Sequence, residues 1–216
     1  MIIKSFRLFV VLLLVALNPA CRKQSLEPTP FPKVFAGVHG DSFHFVELDT
    51  PRTISVDWDS NFLFGFGIDS LDMDHDGKID LVFHLSTANY DSAHLWDQTY
   101  PFKYPYLSVH PKNGYQITYY MEIVYQGLGQ GFTQYFANPL AFENRIDSLI
   151  NWRTIPTSLW ARNPGSEWGS VGDWHWRGGV VYLGVRKNAM QYGWLAIDNT
   201  EVQNPKFMSY ALSLAN

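Results

Sequence analysis

Residues 71–80 read LDMDHDGKID. Asp72, Asp74 and Asp76 alternate, Gly77 follows, and Asp80 ends the stretch inside the apolar run Ile79–Leu85. Carboxylates at alternate loop positions converge on one point when the chain curls, and glycine supplies the sharp turn. Hard oxygen donors in that pattern suit calcium, which takes six to eight oxygens at about 2.3–2.6 Å. The spacing nominates the side chains of Asp72, Asp74, Asp76 and Asp80 as ligands, together with the Lys78 carbonyl. Such an ion would be structural, since every ligand comes from one short loop and no base accompanies it. Strand alternation directs Ile79 and Leu81 to the core and Asp80 to the other side. The competing reading is an acidic, solvated turn.

Other chemistry is less sharply written. SEWGSVGDWHW (166–176) carries Trp168, Trp174 and Trp176, and YPFKYPY (100–106) is a second aromatic stretch. Flat aromatic faces stack on sugar rings, so the three tryptophans form a candidate carbohydrate platform; the alternative is that they fill the core. The seven histidines form no H-x-x-x-H or H-E-x-x-H pair. No G-x-S-x-G elbow is present, and GLGQG (127–131) lacks the Lys-Ser/Thr of a phosphate loop. Glu122 and Glu167 are carboxylates of the kind a glycan hydrolase pairs across a cleft, but nothing in their spacing selects them. No catalytic residue is nominated.

The elements that must hold these residues are strands. Thr53–Trp58, Asn61–Ile68, Ile79–Leu85, Tyr115–Tyr125, Val180–Arg186, Gln191–Asp198 and Phe207–Leu212 alternate or run apolar between turn residues. Phe62, Phe64, Phe66 and Ile68 share one face, and Gly65 and Gly67 on the other admit a close neighbour. KNAM (187–190) reads as a hairpin turn. Pro139–Ile150 departs from this pattern: Phe142, Ile146, Leu149 and Ile150 have the spacing of a short helix capped by Asn138. The expected fold is all-β, a two-sheet antiparallel sandwich of jelly-roll type, with that one short helix.

The chain has 216 residues, 16% of them aromatic and 17% charged, with a formal charge of −4. Without a Lys/Arg cluster in its body it is not a nucleic-acid binder. Lys4 and Arg7 precede the apolar run Phe9–Leu17, too short for a membrane span and of the length of a signal-peptide core. Cys21, the single cysteine, follows directly. LNPAC resembles a bacterial lipobox, with Asn18 where that signal usually has leucine. The resemblance implies cleavage before Cys21, lipidation of Cys21, a membrane partner through the lipid anchor, and a place in the cell envelope, at the outer membrane or in the periplasm. Loss of residues 1–21 would take the charge from −4 to −6. Pro28, Pro30 and Pro32 make 22–33 a tether, leaving 34–216 as a single domain.

Two further resemblances concern this domain. D-x-D-x-D-G-x-x-D resembles the calcium loops of FG-GAP repeats, dockerins, thrombospondin type 3 repeats and EF-hands. Phe83 stands where an EF-hand has glutamate, which favours the strand-flanked, FG-GAP-like form. Residues 181–212 resemble the closing strands of β-rich exported bacterial proteins, through Tyr182, Gly184, Arg186, Tyr192, Gly193, Trp194, Tyr210 and Ala211. Together these readings lead to a lipid-anchored envelope protein with structural calcium, a binding or surface module for a glycan. A glycan hydrolase and a purely structural envelope protein are the alternatives.

Overall fold

Most of the alternating runs bounded by turn residues are extended. The computed structural model describes residues 33–58, 64–88, 106–126, 130–162, 170–201 and 204–214. The strands, in order, are β1 (Val34–Phe35), β2 (Phe43–Thr53), β3 (Asp57–Trp58), β4 (Phe64–Leu71), β5 (Leu81–Ala88), β6 (Tyr106–Pro111), β7 (Tyr115–Gln126) and β8 (Gln130–Ala137). They continue as β9 (Pro139–Leu140), β10 (Arg145–Ile146), β11 (Trp152–Arg153), β12 (Thr157–Arg162), β13 (Ser170–Val171), β14 (Val180–Lys187), β15 (Gln191–Asp198) and β16 (Lys206–Ser213). A 3₁₀ turn covers Asp173–Trp176. No α-helix occurs among the described residues.

The protein is therefore all-β, but its strands join differently from the expected pair of sheets. One 14-stranded sheet runs β2-β16-β15-β14-β7-β8-β12-β6-β5-β4-β3, with β9, β11 and β13 as side branches. It is mixed, because β12 meets β8 in parallel at Ser158 and Phe136. The sheet curls into a half-barrel, and its two wings face each other across the main core. Leu81, Phe83, Leu107 and Val109 come from one wing; Leu183, Leu195, Phe207 and Leu212 come from the other. Phe83 and Phe207 meet with ring centroids 4.5 Å apart. At the rims, Arg52 of β2 donates to the Asp69 carboxylate of β4 and to the Ser70 carbonyl. The long strand β7 joins the wings: residues 115–117 pair with β14 and residues 119–126 with β8.

Met1–Phe31 and Pro32–Asn216 separate as two units. Both clusters of buried side chains lie between Val34 and Leu212, so the second unit carries its own core.

Three local expectations are corrected. Residues 139–150 are not helical: Pro139–Leu140 pairs with β14 and Arg145–Ile146 with β1. Glu143 has φ of 63°, and the Ala141 amide donates to the Asn144 side chain, so a turn replaces the helix. Thr53–Trp58 is not one strand: β2 ends at Thr53, and residues 54–56 separate it from β3. On β4 the close neighbour expected at the glycine face is present, since a Cβ at Gly67 would strike the Ser55 carbonyl, while Phe66 and Ile68 face solvent. Ile79 is exposed and Asp80 fully buried, the reverse of strand alternation, because the regular strand begins only at Leu81.

The KNAM turn joins β14 to β15, with Asn188 and Ala189 both at positive φ (50° and 57°), as a hairpin with the sheet's twist requires. The motif residues at the C-terminus sit side by side across three strands, Gly184 opposite Trp194 and Trp194 opposite Ala211. Tyr192, Trp194 and Ala211 belong to the second, smaller core with Val34 and Ile146, whereas Tyr210 lies in the main one.

Candidate metal centre

The acidic loop connects β4 to β5 and is tied down at both ends. The Asp80 amide donates to the Leu71 carbonyl (2.8 Å), and the Asp80 carbonyl accepts from the Lys112 amide (2.7 Å). Met73 is inserted into the main core. Its amide donates to Asp80 Oδ2 at 2.8 Å, so the carboxylate is held under the loop. Gly77 has φ of 83° and donates its amide to Asp72 Oδ2 at 2.9 Å. That reversal brings the early aspartates back over Asp80.

Asp72, Asp74 and Asp80 each place a carboxylate oxygen within 4.8 Å of the others. Oxygens on opposite sides of a calcium ion stand about 4.8 Å apart, twice a ~2.4 Å bond. The triad thus has the span of a metal shell and can hold an ion. The Oδ1 atoms of Asp72, Asp74 and Asp80 are buried and have no hydrogen-bond partner. Buried polar atoms are nearly always paired, and leaving one unpaired costs about 1–3 kcal/mol. A carboxylate cluster in which each member keeps a buried, unpaired oxygen has the chemistry of a cation site. Asp76 stands apart from this triad. It accepts from the Lys78 amide at 2.9 Å and pairs with the Lys78 ammonium at 3.4 Å.

The electrostatics follow from this crowding. Burial, and then the charge of Asp74, raises the Asp80 pKa against the lowering hydrogen bond from Met73. The Lys78 amide lowers that of Asp76. The Tyr115 hydroxyl faces Asp80 without closing a hydrogen bond of normal geometry, and burial together with the nearby carboxylates keeps it protonated. Lys187 Nζ, at the end of β14, binds Asp74 Oδ2 and lies 3.8 Å from Asp76. The Asp74 hydrogen bond raises the Lys187 pKa. Four carboxylates face two ammonium groups, so an excess of two negative charges remains. On the other side of the loop, His75 Nε2 and the Tyr210 hydroxyl are 2.7 Å apart.

The loop of one wing is thereby bonded to β14 and β16 of the other. Lys187, Tyr115 and Tyr210 were not legible as members of this site. Lys187 lies 113 residues from Asp74, and no local spacing links them.

Of the three tryptophans nominated for a carbohydrate platform, only the Trp174 side chain is described, and it takes the alternative place, in the core. Trp174 is fully buried in the main core, and its Nε1 donates to the Ala137 carbonyl at 2.8 Å. Residues 173–176 form a 3₁₀ turn, so Trp174 and Trp176 do not alternate along a strand. Trp168, Glu167, the Trp176 side chain and Cys21, with all of residues 1–32 where a leader and tether were expected, lie outside the described residues. Glu122 is on β7 opposite Gln134.

Compared with protein-family models, curated proteins and solved structures, the chain matches none. A β-rich protein with a clustered Asp72/Asp74/Asp80 group is what the fold and site define.

Proposed function

We propose that this protein is a lipid-anchored module of the bacterial cell envelope, that it serves as a binding or surface domain, and that calcium in the 72–80 loop fastens its two wings. The observation that carries the metal reading is the clustering of Asp72, Asp74 and Asp80 carboxylates within 4.8 Å, each with a buried Oδ1 that has no hydrogen-bond partner. An all-oxygen shell favours a hard cation, and a loop that also offers carbonyls suits the larger, less exacting calcium over magnesium. The Lys78 carbonyl and a shift of Asp76 toward the triad would complete the shell. The ion's role is structural: it neutralises carboxylates that otherwise repel at the seam where the β4–β5 loop meets β14 and β16. The envelope reading rests on the Cys21 signal and the proline tether.

The test is thermal unfolding of residues 22–216 in EDTA and in millimolar calcium or magnesium. A calcium-specific rise abolished by Asp80→Asn and Asp74→Ala supports the reading; no rise, or a rise that survives both, overturns it. Membrane fractionation of the full chain and of Cys21→Ser tests the anchor. Release of the variant into the soluble fraction supports it, and equal distribution of both overturns it.

A further inference from the structure

The sheet also bears a concave site of the opposite sign. On β6, Leu107 and Val109 enter the main core, so Tyr106, Ser108 and His110 face away from it. There they join residues of β8 and β12 and the β11–β12 turn around a depression of about 430 Å³. That volume lies within the range of small-molecule sites, roughly 300–1,000 Å³. Arg153 is the cation of the lining, and no aspartate or glutamate belongs to it.

Arg153 is fixed but unpaired in charge. Its guanidinium lies on the Tyr135 ring, 3.6 Å from the centroid, and 5.6 Å from that of Tyr119. Stacking leaves the in-plane N–H edge free for an acceptor. Nε is buried and has no hydrogen-bond partner, and among the described residues no carboxylate forms an ion pair with Arg153. A rigid guanidinium fork fits a planar carboxylate with two parallel hydrogen bonds. Around it stand short neutral donors and acceptors: Ser108, Ser158, Gln134 and His110. The His110 ring lies 4.4 Å from that of His84. Hydroxyl and amide groups of this kind recognise hydroxyls.

We propose that the depression over β6, β8 and β12 binds a small hydroxylated carboxylate of the uronic-acid sugar class, with Arg153 holding the carboxylate. The Tyr135 ring orients the guanidinium, and Ser108, Ser158 and Gln134 contact the sugar hydroxyls. This deepens the binding-module half of the reading above and does not depend on the metal half.

The test is calorimetric titration of calcium-saturated residues 22–216 with glucuronate, glucose and inorganic phosphate. Glucuronate should bind, with glucose at least roughly tenfold weaker, the usual worth of a charge-assisted hydrogen bond. Arg153→Gln should lose about 10- to 100-fold in glucuronate affinity, and Gln134→Ala a smaller factor. The circular dichroism of both variants should match that of the parent chain. If Arg153→Gln is misfolded, Gln134→Ala and the glucose comparison still decide. Absence of glucuronate binding at any soluble concentration overturns the proposal, as does binding that Arg153→Gln leaves intact. Glucose binding as tightly as glucuronate overturns the anion requirement, and phosphate binding as tightly overturns the carboxylate assignment. A calcium-dependent melting rise without glucuronate binding leaves the metal reading standing and removes this one; the reverse result does the opposite.

Discussion

The acidic loop and the Arg153 depression carry opposite charge and share one lack. In the loop, three carboxylate oxygens are buried and unpaired; in the depression, one guanidinium Nε is. A folded chain seldom leaves such groups unsatisfied unless something else completes them. The two sites differ in how they are built. The loop packs four aspartates into nine consecutive residues and is anchored by Met73. The depression gathers side chains from β6, β8, β11 and β12. One site is local and is proposed to bear on stability; the other is distributed and is proposed to bear on recognition.

The comparison breaks most readily at Met73. Met73→Ala should destabilise the domain by about 2–5 kcal/mol, as loss of a buried methionine does, and should weaken calcium binding as well. Urea unfolding with and without calcium measures both. A loss at the depression of comparable size, on Arg153→Gln, would erase the distinction. That substitution is expected to cost about 0.5–1 kcal/mol, the worth of its stacking on Tyr135.

Calcium itself comes next. At a hundredfold excess over its dissociation constant, calcium should add about 2.7 kcal/mol. For a domain of this size that is roughly 5–10 °C in melting temperature. Asp80→Asn should remove the whole of it, whereas Arg153→Gln should leave it unchanged.

Lys187 sharpens the contrast, because it is a cation already at the acidic site. Lys187→Met should tighten calcium binding by up to about fivefold, the scale of one ion pair of ~1 kcal/mol. It should lower the melting temperature in EDTA. Calcium titration of the variant checks both directions.

The smallest effect concerns pH at the depression. Burial, followed by repulsion from His84 and Lys112, lowers the His110 pKa below its ordinary 6.5. A histidine lowered on folding stabilises fully above its ordinary pKa, and that contribution is lost as pH falls through the lowered value. The melting temperature should therefore fall on acidification below pH 6.5, and His110→Gln should flatten that slope. Melting curves of both proteins across this range decide it.

These two regions also show what a sequence can disclose. Asp72, Asp74, Asp76, Gly77 and Asp80 were readable because neighbours in the chain are neighbours in the loop. Even there the orientation of Ile79 and Asp80 was inverted, since the loop leaves the strand period before Leu81. Arg153 gave no signal, because its partners come from strands far apart in the chain. The half-barrel was hidden for the same reason: alternation shows that a strand has a buried face, not which strands share a sheet. Pro139–Ile150 had helical spacing, yet Ile146 is buried through its pairing with Val34, while Phe142 and Leu149 are exposed. For Trp174 the sequence left platform and core both open, because alternation cannot decide for a segment that is a 3₁₀ turn.

The dual membership of β7 bears on how the molecule comes apart. Its first residues pair with β14 and its remainder with β8, so neither wing keeps a complete set of backbone bonds once β7 leaves. Frayed rims such as β3 can exchange their amide hydrogens through small local openings. The amides near Ile117 and Val124, both buried, should exchange only when the entire domain opens. Denaturation should then be a single cooperative event, with β7 as its slowest-exchanging strand.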